Sequence, residues 1–304
     1  MSNYQSYLEE SLSKLRTVLD DSGTRPILFI GSGLSRRYVG APDWVGLLTK
    51  LIEINPIIKM PIGYYTQNTN NHLPAVASAL VEKYQTYAWE KYEEEIFPAE
   101  LYNHSYAKSI FLKSQIAQIL DKLMESFNLE DNEYYEELKI LKTLNPHAVI
   151  TTNYDRLLET IFDKFKVVIG QQVIKKKEAT SIGHILKIHG STEKPEEIVI
   201  SAEDYDSFHE KQKYLIAKLL TYFMEHPVIF LGYSVADENI KNILADISEM
   251  VSGGSNEIVN NIWFVEWEKE LSLIKISEPT RPRRISNAAF CLKKKKYMID
   301  LALI

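Results

Sequence analysis

The feature that most constrains the fold is a short apolar run that stops at a glycine turn. Residues 26–30 read PILFI and suit a strand that is buried on both faces. Residues 31–35, GSGLS, follow without a break, and a helical pattern begins at Trp44 after Pro42 and Asp43. A strand, a glycine turn and a helix in this order predict the opening unit of a nucleotide-binding α/β domain.

The same alternation returns in the second half of the chain. Short apolar runs predict strands at 148–152, 166–171, 185–188, 197–200, 228–231 and 262–265. Helices are expected at 154–165 and 236–250, and Ser201 with Asp204 predicts a helix cap. This pattern predicts an α/β fold, a Rossmann-like, mainly parallel sheet with helices on both faces. We expect it to occupy residues 1–270.

Residues 55–145 interrupt the alternation. The stretch 56–73 is polar and rich in turn residues, and apolar residues then recur at helical spacing, among them Ile116, Leu120 and Leu138. We interpret this region as a helical insertion beside the sheet. We expect it to lie over the cleft between the strand ends and to act there as a lid.

Composition and charge limit the class of protein. The chain of 304 residues is 45% hydrophobic, as in globular domains, and its net charge of −6 disfavours non-specific binding of nucleic acid. No apolar stretch is long enough to span a membrane, and the polar, amphipathic start lacks the pattern of a secretory signal. Cys291 is the only cysteine, which excludes a disulfide or a cysteine zinc site within one chain. These features indicate a cytoplasmic protein.

Residues 271–304 differ in character from the rest of the chain. They contain LSLIKISEPTRP followed by ISNAAFCLKKKK. Both peptides resemble one translated frame of a transposase-type sequencing adapter, and the lysine run resembles a translated poly-A end. A genuine basic tail is the alternative. Two adapter-like blocks in the right order favour a non-native tail, which we expect to be irregular with few buried contacts.

Two polar segments follow predicted strands and carry candidate binding residues. The glycines of GSGLS allow the backbone to approach a phosphate, although an ordinary turn has the same composition. Residues 151–155, TTNYD, end a buried strand, where ligands of such folds bind. Asn153 can bond to a ribose hydroxyl or a water. Asp155 can face an amide or merely cap its helix.

Two later segments have the same position at a strand end. His189 follows an apolar run and precedes Gly190, which suits an exposed imidazole in a cleft. Histidine accepts protons near neutral pH, although a lone histidine is more often structural. Gly232 and Ser234 follow the strand at 228–231, where a second phosphate or ribose contact would fit. A capped turn is the alternative there.

The four segments in this order resemble the bacterial sirtuin-like family, particularly its antiphage-defence branch. Sirtuins carry a GAG-[IL]-S loop, a [TQ]-x-N-x-D strand end, an HG pair and a G-[TY]-S loop. The corresponding pieces here are GSGLS, TTNYD, HG and GYS, and the resemblance covers about residues 25–265. It implies that the chain binds NAD, with the phosphates and neighbouring ribose held by Gly31, Ser32, Gly33 and Ser35.

The resemblance also implies roles for the later segments. Asn153 and Asp155 would lie beside the nicotinamide ribose and carboxamide. His189 would be the catalytic base. Gly232 and Ser234 would contact the adenosine half of NAD.

Two departures from the sirtuin pattern bear on the reaction. Ser32 stands where deacylating sirtuins usually have alanine, which is a small change. The chain also lacks the four-cysteine zinc module that those deacylases carry beside an acyl-lysine groove, and the helical insertion takes its place. We therefore expect no zinc, and we expect hydrolysis of NAD with water as the acceptor rather than deacylation.

The leading hypothesis is an NAD glycohydrolase that cleaves NAD to nicotinamide and ADP-ribose in antiphage defence. Its catalytic residues would be His189 and Asn153, and it would act as a homo-oligomer or with a partner defence protein. The first alternative is an NAD-dependent protein deacylase or ADP-ribosyltransferase, which needs a groove for a second substrate. The second is a non-catalytic sensor of NAD or ADP-ribose, which would not need both Asn153 and His189.

Overall fold

The computed structural model describes residues 3–170, 182–211, 213–233, 262–268 and 273–277. A seven-stranded sheet lies at its centre, with the strand order β3-β4-β2-β1-β5-β6-β7. In chain order the strands are β1 (Ile27–Ile30), β2 (Ala148–Thr151), β3 (Lys166–Ile169), β4 (His184–Lys187), β5 (Val228–Leu231), β6 (Ile262–Glu268) and β7 (Leu273–Ser277).

Strands β1 to β6 run parallel, and β1 is in the middle of the sheet. Leu28 in β1 lies opposite Val149 in β2 on one side and Ile229 in β5 on the other. The chain builds β2, β3 and β4 on one side of β1 and then crosses to β5 and β6 on the other side. Ligands of such sheets bind outside the carboxyl ends of the strands where the order reverses. The predicted Rossmann-like, mainly parallel sheet is confirmed.

Helices cover both faces of this sheet. They are α1 (Asn3–Ser22), α2 (Ser32–Val39), α3 (Trp44–Ile54), α4 (Ile62–Asn68), α5 (Leu73–Glu90), α6 (Ile110–Glu125), α7 (Tyr135–Thr143), α8 (Leu157–Ile161), α9 (Ala202–Lys211) and α10 (Lys213–Glu225). Because strand side chains alternate, Leu28 and Ile30 pack with α1, α2, α7 and α8, whereas Ile27 and Phe29 pack with α10. Apolar residues on both faces of β1 thus require the two helical layers.

Helices α3 to α6, residues 44–125, form a lobe with an apolar core of its own. Its fully buried side chains include Leu48, Leu51, Val76, Leu80 and Ile116. Tyr154, Ile198 and Ile200 from the sheet side pack into the same core. Helix α7, which falls inside the predicted insertion, packs instead in the core on the sheet face through Leu138 and Leu141. The division of the chain at 55–145 therefore stays a prediction.

The prediction of a strand at 197–200 is wrong. Residues 195–197 form a 3₁₀ helix and the next three are extended without joining the sheet. The amide of Val199 donates to His189 O at 3.0 Å, and Val199 O accepts from the Tyr154 hydroxyl at 2.6 Å. Ile198 and Ile200 point into the lobe core. Their alternation reflects packing against helices rather than a strand ladder.

Two other expectations also need correction. The helix predicted at 154–165 is reduced to α8, Leu157–Ile161, because the residues before it form a turn. The expected irregular tail is wrong for Leu273–Ser277, which form β7 and pair antiparallel with β6. The helix predicted at 236–250 and the rest of the tail lie outside the described residues. Within the described parts of the chain, no helix has the length and apolar character that crossing a membrane requires.

Candidate active site

Four segments meet at the carboxyl edge of the sheet, and we name each after the strand it follows: the β1 loop (31–35), the β2 loop (152–156), the β4 loop (188–194) and the β5 loop (232–233). The β1 loop consists of Gly31, the N-cap, and the first turn of α2, so the helix after β1 begins at Ser32 and not first at Trp44. Backbone hydrogen bonds join the start of a loop to the last residue of a neighbouring strand. The amide of Gly31 donates to Leu231 O at 2.9 Å, and that of Ile188 donates to Thr151 O at 2.9 Å. The predicted site residues that the structure describes all lie on this one edge.

Glycines allow the β1 and β5 loops to touch. The amide of Gly33 donates to Gly232 O at 2.9 Å. A Cβ on Gly33 would lie 2.7 Å from that oxygen, and one on Gly31 would lie 2.6 Å from it, which is closer than side chains come. Gly232 itself has φ of +68°, in the left-handed region that glycine adopts readily. These glycines serve loop packing, whereas contacts of Gly31, Ser32, Gly33 and Gly232 with NAD stay a prediction.

Asn153 joins the β2 loop to the β1 loop. Its Nδ2 donates to Gly31 O and to Ser35 Oγ, each at 3.0 Å. Because only the amide nitrogen can donate to a carbonyl, these bonds fix the orientation of the side chain. Asn153 Oδ1 accepts no hydrogen bond from any residue that the structure describes, so this oxygen is the atom free to meet a ligand.

Asp155 lies two residues before α8, whose N-cap residue is Arg156. The Asp155 Oδ1 accepts a hydrogen bond from the amide of Leu157, the first residue of α8, at 3.1 Å. The carboxylate is buried. This bond supports the turn that leads into α8 without making Asp155 its N-cap, and the place of Asp155 beside the nicotinamide carboxamide stays a prediction.

Lys187, the last residue of β4, also lies at this edge, although its position in the sequence predicts no role in the site. It is completely buried. Its Nζ donates to Tyr154 O at 3.1 Å, to Asp155 O, and to the Glu159 carboxylate at 2.7 Å. Burial raises the pKa of Glu159 above its ordinary value, and the Lys187 ammonium offsets part of that rise. The sequence feature that could have identified Lys187 is a charged residue within the largely apolar run HILKI.

His189 is buried, which corrects the expectation of an exposed imidazole. Its side chain is 3% exposed. The rings of Tyr205 and Phe208, both on α9, stand perpendicular to the imidazole with centroids 5.6 and 4.8 Å away. Helix α9 therefore packs against the imidazole through these two rings. The role of His189 as a base stays a prediction.

The lobe holds α9 in this position. The predicted cap is present: Ser201 Oγ accepts from the amide of Asp204 at 3.2 Å, and Asp204 Oδ2 accepts from the amide of Ser201 at 3.0 Å. Asp204 also pairs with Lys113 of α6 at 2.6 Å, and Ser78 of α5 donates to Glu203 at 2.7 Å. The first turn of α9 is therefore anchored to two helices of the lobe.

The β5 loop closes onto the β2 loop through Tyr233. Its hydroxyl lies 2.6 Å from Thr152 Oγ1, and its ring meets Phe29 edge-on with centroids 5.3 Å apart. Ser234, the next residue, lies outside the described residues. The described chain contains no group of three or more potential metal ligands. This edge offers an amide oxygen and an imidazole, which suit hydrogen bonding and proton transfer.

Known proteins share part of this edge. Residues 147–290 match the family described as SIR2-like domain. The match contains the β2, β4 and β5 loops and begins after the β1 loop. It also continues beyond Leu271, into the segment for which we expect a non-native origin, and that origin stays a prediction.

Three curated relatives are similar over part of their length. Defense-associated sirtuin 2 of Bacillus subtilis is 34% identical over 113 residues, 35% of this chain and 11% of that protein. The NAD(+) hydrolase ThsA of Bacillus cereus (strain MSX-D12) is 30% identical over 133 residues, 42% of this chain and 27% of the relative. The NAD(+) hydrolase ThsA of Cytobacillus dafuensis is 29% identical over 147 residues, 47% of this chain and 30% of the relative.

The chain spans less than a third of the length of each of these relatives. The family match contains three of the four segments on which the resemblance to sirtuins rests, namely TTNYD, HG and GYS. That resemblance is confirmed, because residues 147–290 of this chain match the SIR2-like domain family.

Proposed function

We propose that the chain is an NAD glycohydrolase that cleaves NAD to nicotinamide and ADP-ribose. The observation that carries the proposal is the setting of Asn153. Its amide nitrogen is tied to the β1 loop and its Oδ1 is left free, on the same edge as His189. Relatives whose names are NAD(+) hydrolase and defence-associated sirtuin support this choice of reaction.

The reaction breaks the bond between ribose C1′ and the nicotinamide nitrogen. The bonding electrons leave with nitrogen, so neutral nicotinamide departs while positive charge develops on the ribose. Water adds at C1′ and loses a proton. Asn153 Oδ1 suits orienting a ribose hydroxyl or this water, and His189 suits accepting the proton.

In this proposal the remaining site residues bind the rest of the substrate. Asp155 lies by the carboxamide, and the phosphates and sugars meet the β1 and β5 loops through Gly31, Ser32, Gly33, Ser35, Gly232 and Ser234.

We propose that the lobe and the helix α9 that it anchors act together as a lid. Lys113 and Ser78 anchor α9, and the α9 rings of Tyr205 and Phe208 contact the imidazole of His189. A closed resting site suits an enzyme that must stay silent until it is triggered. Hydrogen exchange tests this step: amides over 202–208 should exchange faster when NAD turns over, and unchanged exchange would reject the lid.

The setting of the proposed activity follows from the resemblance to defence proteins. We infer that the protein acts in the cytoplasm as an antiphage effector, either as a homo-oligomer or with a partner defence protein. Similarity to a defence-associated sirtuin supports this inference.

Product analysis on the full chain, alone and with its assembly partners, tests the proposed reaction. We expect nicotinamide and free ADP-ribose in equal amounts. ADP-ribose attached to protein, or loss of acyl groups from acetylated peptides, would favour the transferase or the deacylase. Binding of NAD without turnover under every condition would favour the sensor.

A further inference from the structure

We propose that Lys187 is a positioning residue for the candidate site: its buried ammonium fixes the β2 loop and so holds Asn153 and Asp155 in place. The kinetic part of this inference rests on the proposed function. The structural part does not, because it concerns the conformation of the loop.

The hydrogen bonds of Lys187 all end on one short segment. An ammonium has three N–H groups, and the acceptors here are Tyr154 O, Asp155 O and the Glu159 carboxylate. The two carbonyls belong to the peptide planes on either side of Asp155. Fixing both planes fixes the backbone dihedral angles of that residue.

Other contacts of the β2 loop are made mainly by side chains, such as those of Asn153 and Tyr154, whereas Lys187 bonds to two successive backbone carbonyls of the loop. Residues 152–156 lie between the end of β2 and the start of α8, outside strand and helix. Tyr154 O also accepts from the amide of Thr192 at 3.0 Å, which ties the same carbonyl to the β4 loop. Lys187 therefore lies where the loop that carries Asn153 meets the loop that follows His189.

The charge of Lys187 argues for a role beyond stabilising the fold. A buried ion pair is often no more stabilising than apolar residues of the same volume, because both charges lose their hydration. Glu159 neutralises the ammonium at 2.7 Å. This pairing matters beside a reaction that develops positive charge on the ribose, which an unpaired ammonium would oppose.

The test compares three variants of the full chain with the wild type. Lys187→Met keeps the length of the side chain and removes all three donors. Lys187→Met/Glu159→Leu removes both charges. Glu137→Gln is the control, because it weakens the part-buried bidentate pair of Glu137 with Arg37, at 2.9 and 2.7 Å between α2 and α7. The measurements are kcat and KM for nicotinamide release, melting temperature, and hydrogen exchange of amides 152–156.

We expect Lys187→Met to lower kcat about 10- to 100-fold, because small misplacements of catalytic groups cost that much, with a smaller change in KM. Amides 152–156 should exchange at least about tenfold faster as the loop opens. The double variant should recover melting temperature, because no charge is left unpaired, and should not recover kcat. Glu137→Gln should lower melting temperature with kcat unchanged.

Recovery of kcat in the double variant, or unchanged exchange in Lys187→Met, would overturn the inference and leave Lys187 as part of a structural ion pair. The two proposals fail separately. If the wild type releases no nicotinamide in any state, the proposed function is wrong, and exchange of amides 152–156 still decides whether Lys187 holds the loop.

Discussion

The carboxyl edge of the sheet and the lobe are built in opposite ways. At the edge, buried polar groups such as Asn153 and Lys187 have defined partners on other loops. In the lobe, apolar side chains form the core, the buried Tyr84 hydroxyl donates to Leu51 O at 2.7 Å, and buried polar side chains such as Lys113 and Ser114 are few. Directional bonds set geometry, whereas apolar burial sets stability and tolerates change. Substitutions at the edge should therefore alter activity, and substitutions in the lobe should alter stability.

The largest effect should come from His189→Ala. General base catalysis contributes about 100- to 10,000-fold, and we expect nicotinamide release to fall by a factor in that range while NAD binding is retained. The assay follows nicotinamide release by the triggered assembly. His104→Ala is the control, because His104 is an exposed histidine of the same chain. If His189→Ala releases nicotinamide at the wild-type rate, His189 is not the general base.

Asn153→Ala should lower the rate of nicotinamide release to a comparable extent and should also loosen the site. The variant loses the bonds to Gly31 O and Ser35 Oγ, and leaving buried partners unsatisfied costs about 1–3 kcal/mol. Denaturant unfolding measures the loss of stability. An active Asn153→Ala with normal stability would contradict both roles of this side chain.

Leu80→Ala tests the lobe side of the comparison. Leu80 is fully buried in the lobe core, and truncation of such a leucine costs about 2–5 kcal/mol. We expect a clear loss of unfolding free energy with unchanged turnover per folded molecule. Ile54→Ala, at an exposed position in the same lobe, should cost little. A fall in kcat for Leu80→Ala matching that of the edge variants would break the distinction between the two regions.

The smallest effects should come from a pair of glycine substitutions. Gly33→Ala places a methyl group 2.7 Å from Gly232 O, so the β1 and β5 loops must separate, at about 1–3 kcal/mol. Gly63→Ala, in α4 of the lobe, meets nothing within 4 Å and should stabilise the protein by up to about 1 kcal/mol. Opposite shifts in melting temperature are the expected result, and equal shifts would show that the loops are not packed as described.

The sheet could be predicted from the sequence because each of its central strands has a recognisable local sequence pattern. The runs PILFI, AVITT and VIFL are apolar on both faces and end in glycine or small polar residues, and all three are strands. The segment 197–200 has a similar pattern, and its partners are the lobe helices instead. Hydrophobic periodicity predicts which residues are buried, but it does not predict whether they pack within a sheet or against helices.

The candidate site could be predicted less completely, because its geometry depends on distant residues. The position of His189 at a strand end is local information. The rings that contact it, Tyr205 and Phe208, come from a helix that Lys113 of the lobe holds in place. Lys187 looks like an isolated charge in an apolar strand until folding brings Tyr154 and Glu159 to it. Contacts of this kind have no signature within a short window of sequence.

The separate core of the lobe has a consequence for how this protein diverges among its relatives. A core that packs mainly against itself accepts many combinations of apolar residues of similar total volume. The edge loops interlock residue by residue, so one exchange there requires a compensating exchange elsewhere. Relatives should therefore keep Asn153 and Lys187 together, while the apolar residues around Leu80 vary in identity from one relative to another.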